Sequence, residues 1–349
     1  MRPGSVSGAC DDGDMSLSVP VSSSGTSSSG TSPAAGNGSL SLLWESDRPF
    51  SLDTSLRILA HGGKDPSVRI GSGVAWMAFT TPEGTATIAL RQQPAPAPGA
   101  RILARAWGPG AERALAGVPA LLGDSDDWTD FDNPDFIETL PAALAEVRRR
   151  NPGLRLPSTG RMLDSIVPVI LEQKVTAMEA YYSWRYLVTK YGTDAPGPAP
   201  AGLKAPPAAA QWRKVPSWEW HRAGVDSHRS GTIMRACAAA SGLERLASVP
   251  LGTDLSARLR SIPGIGPWSA AEITQRTHGA PDSVSVGDYH LAAFVGEALT
   301  GRRTDDAGML ALLRPWAGHR QRVVRLLVLS GFRKQAFGPR LTPEDHRRR

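Results

Sequence analysis

Between Leu259 and Leu291 the chain reads LRSIPGIGPWSAAEITQRTHGAPDSVSVGDYHL, and no other stretch restricts the fold as much. Gly264 and Gly266 flank Ile265, and Pro267 follows them. Glycine allows a turn too tight for a residue with a Cβ, and proline suits the first turn of a helix. The predicted order is helix, hairpin, second helix, then Asp288 at the head of a third helix over 289–300. In that third helix Leu291, Phe294, Val295, Ala298 and Leu299 share one apolar face, and Gly301 lies just past its end. Backbone N–H groups of such a hairpin, with the dipole of the following helix, suit a phosphate held without reading sequence. An ordinary corner of a helical bundle uses glycines in the same way, so the hairpin alone leaves both readings open.

The surrounding chain is also largely helical after residue 130. Helices are expected over 134–150, over 225–240, over 254–261, over 306–313 and over 318–330, and two more lie between 161 and 191. The two are separated by a turn, because Thr176 followed by Glu179 forms a capping box. Gln173, Lys174 and Val175 therefore occupy a tight turn. Residues 193–216 are rich in Pro, Ala and Gly and read as loop. The tryptophans of QWRKVPSWEW (211–220) read as an anchoring aromatic cluster.

Before this region lies a small α+β segment, 41–125. A short helix is expected over 52–60, a hairpin of strands 73–80 and 85–90 around TPEG, and a third strand over 101–107. Residues 1–40 are Ser/Gly/Pro-rich and too poor in large apolar groups to offset ordering entropy, so a disordered tail is expected there. The end, 336–349, is a basic tail.

Composition mainly excludes. With 349 residues the chain suits about two or three domains. No apolar run is long enough for a membrane span and the start does not resemble a signal peptide, so cytoplasmic residence is expected. Only Cys10 and Cys237 occur, which rules out a four-thiolate iron–sulfur cluster within one chain. His221, His228 and His290 lack the cysteine or carboxylate neighbours a metal site needs. The net charge of +6 and the arginines of the C-terminal region fit either a polyanionic partner or a solvated surface.

These motifs together resemble the helix-hairpin-helix DNA glycosylase superfamily. LRSIPGIGPWSAAEI resembles the family's hairpin, and Gly287-Asp288-Tyr289 its catalytic loop, Asp288 lying twenty residues beyond Trp268. VILEQKVTAMEA (169–180) is similar to the family's first helix, wedge turn and second helix, and 41–125 is similar to the N-terminal domain of the AlkA-type 3-methyladenine DNA glycosylases. The resemblance implies a mainly α fold, a helix-hairpin-helix glycosylase bundle of two helical subdomains over 126–335 with a small N-terminal α+β domain.

The same resemblance gives the residues their roles. Asp288 would be the catalytic carboxylate beside a sugar developing positive charge, while also suiting a helix N-cap. Strand-cutting members carry a lysine where Trp268 stands; tryptophan cannot form a Schiff base, so base release without strand cleavage is implied. Trp268 would stack on a cationic alkylated purine, with Trp316 in RPWAGHR and Glu272 as further base-pocket residues. Both depart from the family pattern around them: Glu272 replaces an aromatic, and Ala317 to Arg320 replace Arg-Ser-Tyr-Ala. Gly264, Ile265, Gly266, Gln173 and Lys174 would contact DNA, Lys174 in the place of an apolar wedge. A monovalent cation on main-chain carbonyls near Ile262 and Ile265 is also implied, with no metal held by side chains and no other cofactor. The expected partner of this monomer is double-stranded DNA containing damaged bases. The competing readings are a glycosylase for a deaminated or mismatched base, and a non-catalytic helix-hairpin-helix DNA-binding protein.

Overall fold

The structure, a computed structural model, describes residues 38–333. The tail expectations for 1–37 and for 336–349 lie outside the described residues. A five-stranded antiparallel sheet forms first: β1 (Ser39–Ser46), β2 (Val68–Gly71), β3 (Val74–Thr81), β4 (Gly84–Gln93) and β5 (Ala100–Trp107), in the spatial order β1-β5-β4-β3-β2. The expected hairpin is β3–β4. Its two-residue turn pairs Thr81 with Gly84, and Gly84 has φ 129°, a conformation that favours glycine.

Sequence patterning missed the two edge strands. In β1, Leu40, Leu42 and Trp44 turn inward and Ser41, Leu43 and Glu45 outward. This alternation directly follows the Ser/Gly tail, so the expected tail boundary at 40 runs into a strand. β2 has only four residues, VRIG, too few for a period to register.

Helices cover one face of the sheet and make up most of the remainder. The helix expected over 134–150 is two, Pro134–Glu138 and Ala142–Arg150. Pro141 separates them, because a proline disfavours helical backbone in the residue before it. The expected pair between 161 and 191 is Met162–Leu171 and Ala177–Tyr191, and both halves of the Thr176–Glu179 capping box are formed. The 193–216 loop contains a two-stranded ribbon, Thr193–Asp194 with Lys204–Ala205, and a short helix, Ala209–Trp212.

The buried apolar residues form three principal clusters. One lies under the sheet, between it and the helices of 52–56 and 111–121. A second joins Met162–Leu171 to the hairpin helix Pro267–Thr277 and includes the stacked rings of Trp184, Trp212 and Trp220. That stack accounts for the tryptophan-rich segment, except for Trp218, which is exposed. A third cluster unites residues of 128–156 with those of 284–327. Within it Trp128 lies between the guanidiniums of Arg148 and Arg322, at 4.0 and 4.7 Å from the ring centre.

The arginines of the C-terminal helix, read as facing either a polyanionic partner or solvent, bond within the protein instead. Arg320, Arg322 and Arg325 do not form a basic surface. Arg320 pairs with Asp282, and Arg322, 3% exposed, pairs with Asp126. Arg325 donates to Thr54 O and is held by burial below the usual guanidinium range, at about 10. Charge counts cannot tell an arginine that faces solvent from one that ties two segments together. No helix among the described residues is long and apolar enough to cross a membrane.

Candidate active site and nucleic-acid interface

The hairpin runs between the helices Thr253–Arg260 and Pro267–Thr277. Gly264 has φ 101°, and a Cβ there would meet Thr232 Oγ1 at 2.2 Å, so both backbone and space require glycine. Ile262 and Ile265 are buried and anchor the turn from within, with Ile265 N–H donating to Ile262 O. Gly266 stays partly exposed ahead of Pro267, where the orphan N–H groups of the helix begin.

The carbonyls of this turn are largely engaged. Arg235 Nε donates to Pro263 O at 3.0 Å, and Gln173 Nε2 donates to Gly264 O at 2.9 Å. The residues therefore suit the expected cation near Ile262 and Ile265 only in part, since a guanidinium already lies against the hairpin. Among the described residues no group of three His, Cys, Asp or Glu side chains is placed to hold a metal ion.

Gln173 is placed differently from its expected DNA contact. It is half-buried, and its amide nitrogen donates to both Gly264 O and Ser269 Oγ, joining the 172–176 turn to the hairpin. Lys174 remains at the exposed tip, with φ 54°, one of two non-glycine residues in the left-handed region among those described. Met178, one turn further on, is 73% exposed. Glu172, at the base of the turn, pairs with His61 at 3.2 Å, a contact between segments 111 residues apart. Burial opposes ionisation of Glu172, but the hydrogen bond and charge of His61, with Arg276, outweigh it and lower its pKa.

Asp288 lies half-buried in the loop between the hairpin helix and the helix Leu291–Thr300. The helix begins two residues later than expected. Asp288 nevertheless caps it: Oδ1 accepts from His290 N at 2.7 Å and Leu291 N at 2.8 Å. Oδ2 accepts from the indole Nε1 of Trp268 at 3.1 Å. Gly287 has φ 89° and donates its N–H to Asp306, fixing the approach to Asp288. Tyr289 beside it is 84% exposed.

The three expected base-pocket residues separate. Trp268 is half-buried and in contact with Asp288. Glu272, one turn along the same helix, has both carboxylate oxygens engaged: Oε2 with Arg276 at 2.5 Å, and Oε1 with the hydroxyl of Ser285. Trp316 is buried at 5% exposure in the third cluster, its Nε1 on Thr139 Oγ1. Trp268 packs against the second cluster instead. Buried as it is, Trp316 serves as core.

Sequence reasoning missed the groups arriving from other segments. Arg161, Asp164, Arg276 and His61 line a cavity of about 40 Å³ between the sheet and the helices, room for a water or two rather than a base. Burial pushes the Asp164 carboxyl up to about 6, partly offset by Arg161. No local pattern marks the set, because His61, the Arg161–Asp164 pair and Arg276 come from three separate segments.

The fold has known counterparts. The 3-methyladenine DNA glycosylase from Archaeoglobus fulgidus superposes with a TM-score of 0.66, covering 83% of this chain and 99% of that one at 16% identity. MBOgg1, in complex with a low-affinity DNA ligand, gives 0.61 over 83% and 95% at 13% identity. The Clostridium acetobutylicum 8-oxoguanine glycosylase/lyase, in complex with duplex DNA containing cytosine opposite 8-oxoguanine, gives 0.58 over 82% and 96% at 11% identity. The chain thus has the fold of the helix-hairpin-helix DNA glycosylases. No protein-family model and no curated protein sequence matches it.

Proposed function

We propose that this chain is a monofunctional DNA glycosylase acting in base excision repair, hydrolysing the N-glycosidic bond of alkylated purines of the 3-methyladenine type and leaving an abasic site. The observation that carries the reading is the contact of Trp268 with Asp288. It puts a carboxylate and an aromatic face at the N-terminal end of the helix that follows a hairpin suited to phosphate.

In this reading the hairpin backbone at Gly264, Ile265 and Gly266 holds the phosphates of damaged double-stranded DNA, and Lys174 enters the minor groove. The target nucleotide turns out of the stack toward Trp268. As the glycosidic bond lengthens, the sugar acquires oxocarbenium character. Asp288, held by three N–H donors, faces that charge and stabilises it or orients the attacking water. With no lysine at position 268, the reaction ends at base release and needs no organic cofactor. The protein works as a cytoplasmic monomer. A cation at the hairpin carbonyls near Ile262 and Ile265 would add a phosphate contact, with Arg235 already supplying positive charge beside them.

A second reading, excision of a deaminated or mismatched base, is favoured by one observation. Glu272 is paired with Arg276 and takes a hydrogen bond from the Ser285 hydroxyl, so it offers no free negative charge to a cationic purine.

Mass spectrometry of bases freed from methylated, deaminated and oxidised duplex DNA tests both. Release of methylated purines supports the first, and release confined to deaminated bases the second. Base release by Asp288→Asn equal to the parent's would overturn the enzymatic assignment.

A further inference from the structure

The loop that carries Asp288 is tied to the helix that carries Trp268 by side chains of that same helix. Gln275 Nε2 donates to Ser283 O at 2.9 Å and to Ser285 Oγ at 3.0 Å. Ser285 Oγ donates onward to Glu272 Oε1, whose other oxygen takes Arg276. From the opposite side Gln321 Nε2 donates to Gln275 Oε1 at 2.9 Å. Ser285 O in turn accepts the N–H of Asp288 at 3.3 Å. Gln275, Ser285 and Gln321 are buried at 5%, 2% and 4% exposure.

The direction of every bond in this relay is fixed. The Ser283 carbonyl can only accept, so the Gln275 amide has its nitrogen toward the loop and its oxygen toward Gln321. The Ser285 hydroxyl must then accept from Gln275 and donate to the carboxylate. Bonds in series toward one charge strengthen each other away from water. One helix thus presents Trp268 at its first turn and fixes the loop of Asp288 with Glu272 and Gln275, four and seven residues on.

We infer that Glu272, Gln275 and Ser285 are positioning residues, which act through the 283–288 loop to set the Asp288 carboxylate against Trp268. Glu272 has this role in place of reading the flipped base. The inference rests on the glycosylase reading, since it gives Asp288 a reaction to be positioned for.

The test is single-turnover base release by the full chain from one pool of duplex DNA that has been methylated, deaminated and oxidised, each freed base quantified separately. Affinity for a duplex with an uncleavable abasic analogue and thermal melting are measured alongside. Loss of positioning in Ser285→Ala and Glu272→Gln lowers release of every base by the same factor, about tenfold to a hundredfold, with affinity unchanged and the variants folded at the assay temperature. Ser285→Thr, which keeps the hydroxyl, restores most of the rate. Should Ser285→Ala fail to fold, Gln321→Met removes the far donor at similar volume and is expected to give the same uniform loss. An altered ratio among the released bases in Glu272→Gln, or a parental rate in Ser285→Ala or in folded Gln321→Met, overturns the inference. If Asp288→Asn is inactive while Ser285→Ala is not, positioning alone fails; if the parent frees no base, the glycosylase reading fails and takes the inference with it.

Discussion

Trp268 donates its indole N–H to Oδ2 of Asp288 at 3.1 Å, while Oδ1 of the same carboxylate is held by two backbone N–H groups of the following helix. The hairpin helix and the third helix therefore meet at one carboxylate, and a change in either is felt there. Tryptophan at this position provides more than an aromatic face, because a phenyl ring of similar flatness has no proton to donate.

Trp268→Phe keeps an aromatic surface and removes that donor. A hydrogen bond to a charged group contributes about 1.5–3 kcal/mol, so base release is expected to slow by roughly ten- to a hundredfold. Affinity for abasic-analogue DNA should change little. Single-turnover rates alongside binding isotherms separate the two effects, and an unchanged rate would mean the bond is incidental.

Borohydride reduction traps a Schiff base between an enzyme amine and an opened sugar. With Trp268 on the hairpin helix, no trapped adduct with abasic or lesion-bearing DNA is expected under conditions where base release is complete. A trapped band on a denaturing gel would show that some other lysine reaches the sugar.

Local signals carried much of this site. The capping box at Thr176 and the tight turn at Gly264 are sequence-near patterns that the structure forms, and Asp288 lies in the loop just ahead of its helix, which begins at Leu291. What escaped was contact between distant segments: His61 with Glu172, Gln173 with Gly264, and the Gln321–Gln275–Ser285 relay depend on tertiary packing that no period or spacing encodes. The internal partners of Arg320, Arg322 and Arg325 escaped for the same reason, since sequence gives their charge and not their direction. Trp316 matched a motif segment, yet its ring is core.

Asp164 should make stability fall as pH rises. Its pKa goes from 3.8 to about 6 on folding, chiefly through burial. The native state therefore holds the proton more tightly, and this contribution is fully present below pH 3.8 and lost as pH rises through about 6. The loss is at most about 3 kcal/mol, the side chain retaining 24% exposure. Other carboxylates titrate over the same range, so the quantity to follow is the difference between the parent and Asp164→Asn in urea unfolding. That difference should move in favour of the variant between pH 4 and pH 7, and a difference constant with pH would contradict the assignment.

Lys174 has φ 54° at the exposed tip of the 172–176 turn. Left-handed backbone costs a residue with a Cβ about 1–2 kcal/mol, and glycine avoids that cost while losing more chain entropy on folding. Replacing Lys174 by Ala keeps the strain, and replacing it by Gly relieves it. Lys174→Gly should accordingly be more stable than Lys174→Ala by about 1 kcal/mol in urea. Both changes remove one cation from the proposed DNA face. If that cation meets a phosphate, both should weaken DNA binding equally and reduce the slope of log Kd against log salt by about 0.9. Equal stability of the two variants would show the turn relaxes without strain, and an unchanged salt slope would show that the lysine points away from the backbone of the DNA.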